Sequence, residues 1–206
     1  MFGRGESGGL CVLPAEVPPP EQDWSPDAKL ASAVLAGGCF WCTEAVFKRL
    51  DGVVDVKPGY AGGTPETADY QTVCSGRTGH AEAIRVDYDP GRISYGRLLQ
   101  VFFSVAHDPT QLNRQGNDVG PQYRSAIFWA NDREMEVAAA YIRQLNEAGV
   151  FEGPIATRME PLEAFYEAEG YHHDYADRNP QQPYIAHISM PKVKKLQQSF
   201  ANWLKR

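Results

Sequence analysis

Apolar positions in this chain come in short runs whose period changes repeatedly between two and about 3.6 residues. Ala33-Val34-Leu35-Ala36 is a continuous apolar run closed by Gly37-Gly38, the pattern of a strand buried on both faces. A helix is predicted from about residue 39 to residue 50, with Ala45, Val46 and Leu50 on an inward face and Asp51-Gly52 as its stop. Residues 53–56 read as a second strand. Ile84, Val86 and Tyr88 alternate with Arg85, Asp87 and Asp89, a period-two strand that ends at Pro90. Ser94 then caps a helix carrying Leu98, Leu99, Phe102 and Val105. Residues 125–130 form a strand, and Asp132 caps a helix with Met135, Ala138, Ile142 and Leu145 on one stripe, closed by Gly149. A last strand is expected over residues 155–159 and a helix from about Leu162. Val193, Leu196, Phe200 and Leu204 lie on one face of a docked tail helix. Residues 57–80 and 107–122 lack periodicity and read as loops.

Two connections are too short or too polar for a crossover helix. The expected class is therefore α+β: a two-layer sandwich with a mixed sheet and a ferredoxin-like core. Residues 1–30 form an extended N-terminal arm, rich in Pro and Gly and containing Pro18-Pro19-Pro20. Residues 31–206 form a single catalytic domain that includes the C-terminal tail.

Composition narrows the function. The 206 residues are 43% hydrophobic and 22% charged, which fits a globular domain and not a disordered chain. A net charge of −6 argues against nucleic acid as a partner. No apolar run approaches the ~20 residues of a membrane helix. The first twenty residues hold Gly and Pro where a signal peptide would be apolar, so the expected location is cytoplasmic, with catalytic rather than permanent disulfides. The four cysteines (Cys11, Cys39, Cys42 and Cys74) are too few for a disulfide scaffold.

Gly37-Gly38-Cys39-Phe40-Trp41-Cys42-Thr43-Glu44 places a thiol where a buried strand turns into a helix. Unpaired N–H groups and the helix dipole stabilise a thiolate there, and Cys42 lies three residues on, within disulfide reach. Zinc uses the same spacing, but it needs two further ligands; Cys74 and His80 are the nominees, and no second Cys-x-x-Cys or His pair is present. A thioredoxin-like general disulfide reductase is the other enzyme reading. By themselves Phe40 and Trp41 read as core residues, Tyr70 and Tyr123 as half-buried packing, Glu82 as a solvated strand end and Asp118 as a turn residue.

The motif resembles the signature of the A-type methionine sulfoxide reductases. The likeness continues through Gly59-Tyr60-Ala61-Gly62-Gly63, Tyr70-Gln71-Thr72-Val73-Cys74-Ser75-Gly76, Thr78-Gly79-His80-Ala81-Glu82 and His107-Asp108-Pro109-Thr110. Gly116-Asn117-Asp118-Val119-Gly120, Gln122-Tyr123-Arg124-Ser125 and Tyr171-His172 follow in the family's order. The resemblance implies reduction of free or protein-bound methionine S-sulfoxide by thiols, with no cofactor and no metal. It implies Cys39 as nucleophile and Glu82 as proton donor, with Tyr70 and Tyr123 on the sulfoxide oxygen. Phe40 and Trp41 would seat the S-methyl group, and Asp118 would help hold the substrate or the polar network. A Glu that serves as an acid near neutral pH is expected to be partly desolvated.

Many relatives carry a resolving cysteine in a glycine-rich tail; this tail has none, and Cys42 stands where such relatives often have Gly. Cys42 is therefore expected to condense with a Cys39 sulfenic acid, and thioredoxin or a similar dithiol to reduce the disulfide. Cys11 is the rival resolver. Cys74 reads as a buried structural thiol, His172 and His173 as orienting the C-terminal loop, and His107 and His187 as packing or surface residues. The enzyme is expected to be a monomer.

Overall fold

The computed structural model describes residues 13–205. Its frame is a six-stranded sheet of β1 (Ala31–Gly37), β2 (Val53–Ala61), β3 (Ala81–Tyr88), β6 (Ser125–Trp129), β7 (Arg158–Pro161) and β8 (Phe165–Glu167), in the order β7-β6-β1-β3-β2-β8. All neighbours pair antiparallel except β6 and β7, so the sheet is mixed, as expected. Helix α1 (Phe40–Phe47) connects β1 to β2, and α3 (Tyr95–Val101) leads from β3 toward β6. The inner strands thus follow β-α-β-β-α-β in the order β6-β1-β3-β2, the ferredoxin-like arrangement. The remaining elements are α2 (Tyr70–Cys74), the two-residue strands β4 (Arg114–Gln115) and β5 (Asp118–Val119), α4 (Asp132–Glu147), α5 (Tyr175–Arg178) and α6 (Met190–Ser199).

Both faces of β1 are buried, which is why its sequence is a continuous apolar run. Ala33 and Leu35 join Phe47, Leu98, Leu99, Phe102, Ile127 and Tyr141 in the main core. Val34 and Ala36 face a thinner layer of Ala61, Ala81, Ala83, Ala126 and Phe128, closed by Leu162 and Phe165. Each large apolar side chain buried on the main face contributes roughly 1.5–3 kcal/mol. Among the described residues no helix is long and apolar enough to cross a membrane.

Several local expectations shift. The stretch read as a loop over residues 57–80 holds most of β2 and all of α2. Pro58 hid the strand, since it gives the ladder no N–H, yet its carbonyl accepts from Ala168 N at 2.9 Å. Gly59 is required beside it, because a Cβ there would strike the Tyr166 carbonyl across the β2–β8 pair. The helix expected from Leu162 is instead β8, and the strand expected over 155–159 lies slightly later as β7. Asn131, not Asp132, caps α4, its side chain accepting from Glu134 N. The buried stripe of α4 is Val137, Ala138, Tyr141 and Leu145, so Met135 and Ile142 lie at its edge. In the tail, Val193, Leu196 and Phe200 are buried, as their spacing predicts, but α6 ends at Ser199, and Leu204 lies half-buried beyond it, bridged to Leu50.

The described part of the arm lies along the helices. Val17 is buried, Tyr141 Oη donates to Pro18 O at 2.7 Å, and Gln144 Nε2 donates to Pro19 O at 2.9 Å. Asp23 accepts from Gly96 N at 2.7 Å at the start of α3.

Candidate active site

The site is built on the β1–α1 turn. Gly38 has φ +83°, and a Cβ there would lie 2.6 Å from Gln115 Cβ, so only glycine lets the chain leave β1 at this angle. Cys39 follows as the residue capping α1, its carbonyl accepting from Cys42 N at 3.1 Å. Cys39 is 8% exposed and Cys42 1% exposed. Both are free thiols.

Glu82 is not at a strand end. It lies inside β3, two residues before Ile84, so the alternation that sends Ile84 and Val86 into the main core sends Glu82 under the first turn of α1. Its Oε2 accepts from Phe40 N at 3.0 Å, and it is 2% exposed. Burial lifts its carboxyl from 4.5 to about 8, against the Phe40 hydrogen bond and with help from the Asp118 and Cys42 charges. Sequence alone gave no signal of this depth, because the strand was read from Ile84 onward and Ala81 and Ala83 are too small to mark a buried edge.

The two thiols act as a pair. Burial raises the Cys39 thiol well above its ordinary value, with the neighbouring Cys42 adding to the rise and the Glu82 charge behind it. The hydrogen bond from Cys39 holds Cys42 down at about 6 against burial, with the Lys192 charge assisting. The helix dipole at Cys39 was expected to favour a thiolate there. Burial outweighs it, and of the two thiols Cys42 is the one that ionises more readily.

Aromatic residues close one side. Phe40 is buried and Trp41 half-buried. Trp41 stacks on Tyr175 with ring centroids 3.9 Å apart, and its Nε1 donates to His172 Nδ1 at 3.1 Å. Burial lowers the pKa of His172, which keeps that nitrogen an acceptor. The same imidazole packs against Phe40 at 5.0 Å and Tyr70 at 4.4 Å. His172 therefore orients Trp41 directly, a finer role than the loop-orienting one expected for it. His173 Nε2 donates to Ala168 O at 3.2 Å and lies 3.4 Å from Glu167 Oε1. Glu169, which the sequence did not mark, accepts from Tyr60 Oη at 2.8 Å and Tyr70 N at 2.9 Å and so sets the start of α2.

Tyr70 and Tyr123 are half-buried, and burial raises both phenols. Each phenol feels the charges of Glu82, Cys74 and Cys39. Cys74, expected to be a buried structural thiol, is instead half-buried, on the same short helix as Tyr70. The short α2 carries both residues, so Cys74 belongs to the rim of the site. Cys11 lies outside the described residues.

Asp118, on β5, accepts from Tyr184 Oη, and the same phenol lies 3.9 Å from Cys42 Sγ. Tyr184 is a site residue that no sequence signal identified. Asp118, Tyr184 and Cys39 open onto a cleft of about 640 Å³, lined further by Asn117, His187 and Lys192. His107 is fully buried, its Nε2 bonding Ser125 Oγ at 2.6 Å, and burial lowers its pKa to about 3.

Comparison with known proteins agrees with this geometry. Residues 31–204 match the family model described as "Peptide methionine sulfoxide reductase". The chain is 50% identical over 204 residues to "Peptide methionine sulfoxide reductase MsrA 2" of Synechocystis sp., covering 96% of this chain and 95% of the relative. It is 50% identical over 184 residues to the MsrA of Deinococcus radiodurans, covering 89% of each. Among solved structures, reduced Mxr1 from Saccharomyces cerevisiae superposes with a TM-score of 0.67 at 38% identity, over 79% of this chain and 92% of that one. Methionine sulfoxide reductase A of Corynebacterium diphtheriae superposes with a TM-score of 0.64 at 37% identity, over 76% of this chain and 78% of that one. A sheet that delivers a thiol, a protonated carboxyl and an aromatic wall to one helix start, in a chain matched from 31 to 204, belongs to the A-type peptide methionine sulfoxide reductases, thiol oxidoreductases that reduce methionine sulfoxide.

Proposed function

We propose that Cys39 takes the oxygen of methionine S-sulfoxide and that Cys42 resolves the product. The observation that carries this reading is the placement of Glu82, protonated near neutral pH, on the N–H of the residue following Cys39. Cys39 first passes its proton to the Cys42 sulfur. Its thiolate then attacks the sulfoxide sulfur while Glu82 protonates the oxygen, and the oxygen is transferred to give a Cys39 sulfenic acid and methionine. Tyr70 and Tyr123 donate to the oxygen, and Phe40 and Trp41 seat the S-methyl group. Asp118, at the cleft, holds the substrate or its polar network. Cys42 then condenses with the sulfenic acid, expelling water and forming a Cys39–Cys42 disulfide.

The cleft admits free methionine sulfoxide or a sulfoxide side chain with its flanking peptide. A thioredoxin-like dithiol recycles the disulfide by thiol–disulfide exchange, in keeping with a monomer working in the cytoplasm, where such dithiols are maintained. The deciding experiment is an activity assay on resolved sulfoxide epimers with Cys39→Ser and Cys42→Ser, plus a disulfide map after one turnover without reductant. Cys39→Ser abolishes activity. Cys42→Ser yields one methionine per enzyme and then stops. A Cys39–Cys11 link in the native protein would overturn Cys42 as the resolver.

A further inference from the structure

Pro191 stands in the first turn of α6 and cannot donate the backbone hydrogen bond of a regular helix. The preceding turn, residues 185–189, is wound as a π-helix, the usual way a helix absorbs such a defect. A π-turn aligns residues five apart, so Tyr184 and Ser189 share one face, and Lys192 follows one helical step later. That face lies against α1: Ile185 and Val193 pack with Ala45, and Tyr184 and Met190 close around the same cluster.

This segment, packed against α1, carries three polar groups. Tyr184 Oη is 3.9 Å from the Cys42 sulfur. Ser189 is fully buried, and its hydroxyl has no hydrogen-bond partner among the described residues. Lys192 is anchored through Nζ to Ala106 O at 2.8 Å and lines the cleft that holds Cys39. An unpartnered buried hydroxyl costs about 1–3 kcal/mol, a cost removed when an anionic sulfur accepts from it. Beyond these groups, the charged or titratable neighbours of Cys42 are Cys39, Glu82 on β3 and Asp118 through Tyr184, and the adjoining cleft adds Asp108, His187 and Lys195.

We propose that Ser189 and Lys192, brought beside Tyr184 by this π-turn, are positioning residues that hold Cys42 as the attacking thiolate in the resolving step. The proposal rests on Cys42 being the resolver. In that step the Cys42 sulfur attacks the Cys39 sulfenyl sulfur, the S–O bond breaks as the S–S bond forms, and the oxygen leaves as water with the proton Cys42 gives up. Cys39 is already oxidised by the sulfoxide, so no further oxidant is needed. The lowered pKa of Cys42, due first to the Cys39 hydrogen bond and then to the Lys192 charge, accords with this role.

The test is a single turnover with one equivalent of methionine S-sulfoxide and no reductant. Sulfenic acid loss is timed across pH by quenching and mass spectrometry, and the product disulfide is mapped. Lys192→Met and Ser189→Ala are each expected to move the rising limb of the resolving rate to higher pH. A shift of one pH unit lowers the rate about tenfold below the midpoint. Lys192→Arg restores the limb. A Cys39–Cys42 product with an unmoved limb in both variants overturns the proposal alone. A different product disulfide overturns the resolver reading and this proposal with it.

Discussion

Replacing Glu82 by Gln separates the acid from the rest of the site. A carboxamide still accepts from Phe40 N, so α1 keeps its anchor while the dissociable proton is lost. With a pKa near 8, about nine-tenths of the Glu82 carboxyls are protonated at pH 7. At the ordinary value of 4.5, roughly three in a thousand would be. Positioned acids supply about 10²–10⁴ in rate, and the single-turnover rate of methionine formation is expected to fall by that factor. The wild-type rate should decline as pH rises through about 8, and the variant should lack that alkaline limb. The substitution acts on stability in the opposite sense to its effect on rate. Between 4.5 and about 8 the folded protein binds a proton that the unfolded chain does not, so Glu82 lowers stability as pH rises through that window. Glu82→Gln is therefore expected to stabilise the fold at pH 8 and above, by on the order of a few kcal/mol. Urea unfolding at pH 5 and pH 8, set beside rapid-quench kinetics, reads both effects. A variant within threefold of wild type that retains the alkaline limb would refute the acid role.

Two further substitutions probe the frame. Gly38→Ala must place a Cβ 2.6 Å from Gln115 at a φ of +83°, and is expected to lose about 1–3 kcal/mol in chemical unfolding along with most activity. Arg124 is 5% exposed and paired with Glu160 at 2.9 Å while its guanidinium also donates to Gly79 O at 3.0 Å. Arg124→Ala leaves that carboxylate and the β3 entry loop unpaired, with an expected loss of about 3–5 kcal/mol; a midpoint unchanged in urea would count against it.

The legible parts of this chain are those whose pattern depends only on neighbours in sequence. The β1 run, the β3 alternation, the Ser94 cap and the tail helix face all appear where their spacing puts them. The thiol pair was legible for the same reason, since strand, glycines, Cys39 and helix are contiguous. What stayed hidden depends on partners far along the chain. β8 has only three residues, and it exists because Gly59–Ala61 offers it an edge. Glu82 holds its proton toward neutral pH because α1 covers it, 42 residues back in sequence. Tyr184 joins the site through Asp118, 66 residues away, and nothing local in Gln182-Pro183-Tyr184 announces it. Motif likeness supplied Glu82, Tyr70, Tyr123 and Asp118 as candidates. Burial and long-range hydrogen bonds supply the reasons they suit the chemistry.

Those reasons fix a proton count. Turning a sulfoxide into a thioether and water consumes two protons and two electrons. The electrons come from the two sulfurs. At pH 7 the site holds two protons for the task, one on Glu82 at about 8 and one on Cys39, whose pKa is raised, while Cys42 at about 6 is largely ionised. In the proposed mechanism Glu82 gives its proton in the first step, and the Cys39 proton, carried on Cys42, leaves in the second. The site begins with its negative charge on Cys42 and ends with it on Glu82, still buried. Because burial keeps the Glu82 carboxyl high, it recovers a proton from solvent, and net uptake of about one proton per disulfide formed is expected at pH 7. A stopped-flow measurement with a pH indicator in weak buffer reads this directly, using one equivalent of sulfoxide and no reductant. If both thiols were protonated at rest, oxidation would consume only their own two protons and the uptake would vanish. A null signal would therefore reject the shared charge on the thiol pair, even with Glu82 intact as the acid.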